Sequence, residues 1–224
     1  HLMQVLKKTF GASGIDDSEE PVGYRTAVLG ILFGGAFLFI FCVRAGMSAW
    51  TVPIYFLIYY MLWTTITRIR AQLGPPVHDF WSYTSGRTFG HPDMMLVPLF
   101  GTRSLGNGTL TMFSFFWWFN KAFRGHPAPH QLEAFKLAEQ SRMENSRTFL
   151  AIVLAMVVGI IACVWTLLHY SYKLGAPGVH YYGGVYFNSY LTRWLTYPEP
   201  VNSGVLVAMS AGLAFTIFLA AMRM

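Results

Sequence analysis

The chain has 224 residues, of which 54% are hydrophobic and 12% charged, against about 25% charged in a soluble domain. Mean hydropathy is +0.42, and long uncharged runs recur, which excludes a soluble fold around one large core and indicates an integral membrane protein. The net charge of +6 sits beside the apolar runs; it is orientation charge and not a nucleic-acid footprint.

Residues 1–25 are polar and glycine-containing. The acidic cluster Asp16-Asp17-Ser18-Glu19-Glu20 precedes Pro21. Carboxylates suit a helix N-terminus and proline its first turn; a cation-attracting vestibule is the other reading. Residues 26–67 form a transmembrane hairpin. Its first span, 26–43, carries Gly30 and Gly34 at the spacing that lets helices approach closely, and Arg44 ends it. The second, 50–67, is rich in tryptophan and tyrosine, with Pro53 in its first turn and Arg68 and Arg70 after it. Cys42 and Cys163 each lie in an apolar run, where buried packing is expected rather than a disulfide or metal pair.

Residues 68–147 form a connector with an apolar block inside it. Gly74-Pro75-Pro76 stops any helix, and 77–92 has turn composition. The block, 94–120, is interrupted by Arg103 and by Gly106-Asn107-Gly108. Its uncharged stretch 104–120 is at the short limit for a span, about 17 residues. Irregular backbone at membrane depth persists only where protein or a water-filled cavity satisfies it. Two short limbs turning at Gly106-Asn107-Gly108 fit a re-entrant hairpin; a kinked buried segment is the alternative. An amphipathic helix is expected over 131–145, with Leu132, Phe135 and Ala138 on one face and the pairs Glu133–Lys136 and Glu139–Arg142 on the other. It would lie on the membrane surface or under neighbouring helices.

Residues 148–224 form a second pair of spans, 148–170 and 203–222, joined by a long aromatic external loop, 171–202, with a short amphipathic segment near 188–195. Gly204, Ala208, Gly212, Thr216 and Ala220 line one face of the last span. The predicted fold is an all-α integral membrane protein with about four transmembrane helices, a re-entrant or broken helical hairpin, and a surface amphipathic helix.

Basic residues orient it. With a re-entrant block, Lys7, Lys8, Arg25, Arg68, Arg70, Arg87, Lys121, Arg124, Lys136, Arg142, Arg147 and Arg223 share one side, and Arg44, Lys173 and Arg193 the other. A fully spanning block would weaken that bias, so both ends are expected to be cytoplasmic.

Catalytic motifs are absent: the chain has no GxSxG, P-loop, GxGxxG, HExxH or CxxC. An enzyme is not expected, nor is a cofactor. His78-Asp79, His91-x-Asp93, and His126 with His130 were weighed as metal ligands, but prolines break the helical register of the last pair, and no metal site is expected. Asn107-Gly108-Thr109 matches a glycosylation pattern but reads as a turn. His169 fits a polar group satisfied at the interface. Arg103 is the sharpest candidate. At membrane depth an arginine costs several kcal/mol unless paired or hydrated, so it either contacts an anion or carboxylate near a solute path, or reaches water or lipid phosphate from a shallow limb. Asn107 and Asn120 add polar contacts to that candidate substrate site.

The segments Gly101-Thr102-Arg103-Ser104-Leu105-Gly106, Trp118-Phe119-Asn120, Arg124-Gly125-His126-Pro127 and Pro129-His130-Gln131-Leu132-Glu133, with Asp16 to Pro21 and Arg68 to Ala71 upstream, carry a resemblance. The chain resembles the C-terminal part of an uncharacterised family of large bacterial polytopic membrane proteins, distantly similar to oligopeptide transporters. The resemblance implies an inner-membrane, multi-pass protein that is one part of a longer transporter, with lipid and further transmembrane helices as partners: the rest of the same protein, a second copy, or subunits of a complex. It supplies no substrate and no site residue. A non-catalytic structural subunit of a larger membrane complex is the alternative. The start at His1 and the stop just past the last span fit the expectation of a fragment. Surface labelling of single cysteines at Ser85, Asn145 and Asn188 tests the topology: the first two are expected to react from one side of the membrane and the third from the other.

Overall fold

The computed structural model describes residues 2–11, 20–74, 82–84, 87–89, 91–120, 125–175 and 187–222. In order, the helices are α1 (Leu2–Thr9), α2 (Tyr24–Arg44), α3 (Thr51–Leu73), α4 (Pro92–Phe100), α5 (Thr102–Leu105), α6 (Asn107–Asn120), α7 (Pro127–Gln140), α8 (Asn145–Leu174), a π-helical turn (Phe187–Leu191) running into α9 (Thr192–Thr196), and α10 (Ser203–Met222). A three-residue antiparallel hairpin, β1 (Ser82–Thr84) with β2 (Arg87–Phe89), pairs Tyr83 with Thr88. The protein is otherwise helical among the described residues.

Three helices, α2, α8 and α10, are long and apolar enough to cross a bilayer. The most apolar windows of α8 and α10 have no residue buried against the rest of the chain. Helices apolar on every side are stable in lipid or among other helices, not in water. This is a membrane protein. At 30 residues, α8 is about 45 Å long, against about 30 Å of hydrocarbon, long enough to cross with tilt. The expected second span is the 23-residue α3, which is not among the three. Its threonines, tyrosines and arginines dilute its hydropathy. Thr64, Thr65 and Thr67 donate their hydroxyls to carbonyls one turn back at 2.8–2.9 Å, so these polar groups are satisfied within the helix itself.

The chain divides into two compact units. The first holds His1–Ile40, Arg70–Gly74 and His126–Tyr181. Here Arg25 Nε donates to Lys8 O at 3.3 Å, closing the end of α1. The amphipathic helix begins earlier than expected, at Pro127, because proline fits the first turn, and it ends at Gln140. It is not simply a surface helix. Arg70, at the end of α3, donates through Nε to Glu133 Oε1 at 2.6 Å, and Gln131 Nε2 approaches Met156 Sδ of α8 at 3.5 Å. Glu133 thus pairs with Arg70 rather than Lys136, and Lys136 turns to Glu139 at 2.7 Å. Cys163 is exposed on α8, contrary to the expected burial, because no described residue covers that face of the helix; Cys42 is fully buried.

The second unit holds Phe41–Ile69, Pro75–Gly125 and Tyr182–Met224. Its core gathers Cys42, Val52, Tyr55, Leu96, Leu105, Phe113 and Trp194. Tyr55 stacks on Phe113 at 5.2 Å and meets Phe116 at 5.3 Å. Trp194 is buried on the short segment expected near 188–195. Two backbones also approach closely, where a Cβ placed on Gly108 would overlap Gly46 O.

Gly108→Ala therefore forces two backbones apart. A cost of about 1–3 kcal/mol is expected, read as a lower melting temperature of the detergent-solubilised protein. Gly212→Ala, on α10 where a Cβ meets nothing within 4 Å, should leave that temperature unchanged or raise it.

Candidate functional site

The apolar block forms a helix broken twice. The expected break is present at Gly106, with φ 79° and ψ 155°; a further one lies at Gly101, with φ 73° and ψ 153°. Both conformations belong to the region occupied almost only by glycine. Between them α5 makes a single turn. Asn107 and Gly108, expected in the turn, already belong to α6.

The first break has a defined hydrogen-bond consequence. In a continuous helix Thr102 N–H would donate to Pro98 O. Here Thr102 N–H donates to Glu199 O at 3.0 Å, and Asn202 N–H donates to Pro98 O at 2.8 Å. The extended segment ahead of α10 thus takes up both halves of the lost bond. Glu199 N–H also donates to Thr102 Oγ1 at 2.9 Å, and the Glu199 carboxylate holds Arg193 at 3.2 Å. A Cβ on Gly101 would lie 3.1 Å from Glu199 O, so the glycine serves both the turn and the approach. At the second break, Ser48 from the α2–α3 turn donates its hydroxyl to Leu105 O at 3.2 Å and its N–H to Thr109 Oγ1 at 3.0 Å. Ser104 Oγ donates back to Phe100 O and Gly101 O.

The freed backbone is thus tied down by protein, and what remains outward is side chain. Arg103 is exposed on α5 and makes no hydrogen bond or ion pair among the described residues. Ser104 and Asn107 are exposed beside it. Asn120 does not join them. It ends α6, thirteen residues from Asn107, or about 20 Å along the helix, so the three expected site residues are not one constellation.

The histidines do not converge either. His91 is the buried N-cap of α4 and Asp93 is buried in its first turn, where a carboxylate suits the helix dipole. His126 is buried at the N-cap of α7, whereas His130 is exposed, with Nδ1 3.9 Å from Glu133 Oε2. His78 and Asp79 lie outside the described residues. Among the described residues no three metal-ligating side chains cluster.

Thr102, Ser48, Thr109, Glu199 and Asn202, which secure the two breaks, were not singled out from sequence. A threonine directly after a glycine, four residues beyond Pro98, was the available signal for the first break. The whole chain, residues 1–224, matches the model of DUF6785, described as a family of unknown function. The chain belongs to the DUF6785 family. No curated protein and no solved structure matches it.

Thr102→Val removes the acceptor of Glu199 N–H and should cost about 1–3 kcal/mol. Gly101→Ala should cost a similar amount through backbone strain. Thr102→Ser keeps the oxygen and should stay near wild type. Melting of the full-length protein in detergent ranks the three.

Proposed function

We propose that the chain is a membrane-embedded part of a multi-span transporter-like protein, with a solute contact on the outer face of α5 made by Arg103 with Asn107 beside it. The observation that carries this reading is the doubly interrupted helix. Secondary transporters place their solutes at discontinuous helices, and a break fastened by neighbouring backbone can hold its side chains in fixed positions without a continuous helix. Arg103 offers a guanidinium suited to a carboxylate or another anion. In this reading α3 is a fourth span, the block formed by α4, α5 and α6 enters and leaves on one side, and both ends are cytoplasmic in a bacterial inner membrane. The likeness to oligopeptide transporters points to peptide-like solutes moved without covalent chemistry. Further transmembrane helices, from the same protein or another chain, complete the path.

One observation favours a second reading, a non-catalytic subunit of a larger complex. Gly212, on the small-residue face of α10, has open space at its Cβ, as do Gly30, Gly34 and Gly159 on the other apolar helices, and close helix approach is what such faces permit. Stoichiometric copurification with other membrane subunits would support it.

Cysteine accessibility tests the first reading. In a Cys163→Ser background, Ser104→Cys and Asn107→Cys should react with a membrane-impermeant thiosulfonate in proteoliposomes, and Phe115→Cys on exposed α6 should not. Trialanine should slow the reaction at both sites, and Arg103→Ala should abolish that protection. Unreactive thiols at 104 and 107, or identical rates with and without trialanine or an anionic solute, would remove the break from any transport path.

A further inference from the structure

The first unit contains a groove of about 550 Å³, within the range of about 300–1,000 Å³ typical of small-molecule clefts. None of its lining residues belongs to the interrupted helix. Two of the long apolar helices start at its rim: Pro21 lies three residues before α2, and Asn145 is the first residue of α8. Arg25 and Arg147 are the last charges before the uncharged runs that begin at Thr26 and Thr148. Those runs start within about one or two helical turns of the groove, which places it at the depth of the lipid headgroups.

The charges in its lining differ in what holds them. Lys136 and Glu139 pair with each other at 2.7 Å, and Glu20 Oε1 accepts the Tyr24 hydroxyl at 2.8 Å. Both carboxylates and one cation are thus engaged. Arg142 is exposed and has no side-chain partner among the described residues. Its place is set by the closing turn of α7, in which Arg142 N–H donates to Glu139 O at 3.2 Å and Met143 N–H to Ala138 O at 2.8 Å. That turn requires left-handed backbone at residue 142, with φ 54°, where glycine is usual; a guanidinium stands there instead. Beside it Leu132, Phe135 and Met143 give the groove an apolar floor, and Leu132 and Met143 are among the exposed large hydrophobics.

We propose that this groove holds one phospholipid of the surrounding leaflet by its phosphodiester. The Arg142 guanidinium forks onto two phosphate oxygens. The glycerol end of the acyl chains lies on Leu132, Phe135 and Met143, and the rest of the tails stays in the bilayer. An anion answers the charge that the described residues leave unpartnered. A lipid is its source, because a soluble phosphate ester would leave the apolar floor in water. The Lys136–Glu139 pair stays closed, so the groove reads the phosphate and not the group beyond it.

Native mass spectrometry of the full-length protein, with equal amounts of phosphatidylglycerol and a phosphate-free monogalactosyldiacylglycerol of the same acyl chains, tests the assignment. One phosphatidylglycerol should be retained about tenfold over the galactolipid, the equivalent of one charge-assisted hydrogen bond. Arg142→Gly suits the left-handed backbone and so keeps the fold; it should bring the ratio close to one with no fall in melting temperature in the galactolipid. Arg147→Gln removes a nearby cation that pairs with Glu144 and should leave the ratio near tenfold. Glycerol 3-phosphate in excess should not displace the bound lipid. Equal retention by wild type, an unchanged ratio in Arg142→Gly, an equal loss in Arg147→Gln, or displacement by glycerol 3-phosphate would each overturn the proposal.

Discussion

One backbone pair governs the second unit. When the helix breaks at Gly101, Pro98 loses a donor and Thr102 an acceptor, and a buried orphan group costs free energy comparable to a lost hydrogen bond. Glu199 and Asn202, three residues apart on one segment, take both. The break is possible because that segment lies against it, and the segment fits closely because the residue at 101 has no Cβ. Sequence, conformation and tertiary contact here depend on one another. Changing the glycine, the threonine or the register of 199–202 disturbs all three.

Packing around the breaks rests on close approach and shape complementarity. The contact of Gly46 with Gly108 brings the α2–α3 turn to the start of α6, near enough for Ser48 to bond Leu105 and Thr109. The aromatic stack of Tyr55, Phe113 and Phe116 fixes α3 against α6 one turn further on. The polar groups that secure the breaks therefore lie inside the same interface that supplies the dispersion contacts.

Periodicity and composition made the long elements legible. The spans at 26–43, 148–170 and 203–222 lie within α2, α8 and α10, because uncharged runs of that length have few alternatives. The break at Gly106 was visible in Gly106-Asn107-Gly108, where three poor helix formers meet. The break at Gly101 was not. A lone glycine between phenylalanine and threonine is tolerated in many helices, and only the distant partner at 199–202 makes it a turn. Glu133 was misassigned for the same reason: an i,i+3 lysine is apparent from the sequence, whereas Arg70, sixty-three residues away, is not. Asn120 looked like a companion of Asn107 because both flank one apolar stretch, but a straight α6 carries them to opposite ends. Cys163 was expected to be covered, and no described residue covers that face of α8.

The pairing of Thr102 with Glu199 also imposes an order on biogenesis. Ninety-seven residues separate the two, so the break leaves the ribosome well before the segment that completes it, and that segment leads directly into α10. Until α10 is delivered to the bilayer, the carbonyl of Pro98 and the amide of Thr102 must be met by water or by the insertion machinery. α10 thus acts as a latch on an element synthesised much earlier, and the second unit is complete only once α10 has been made.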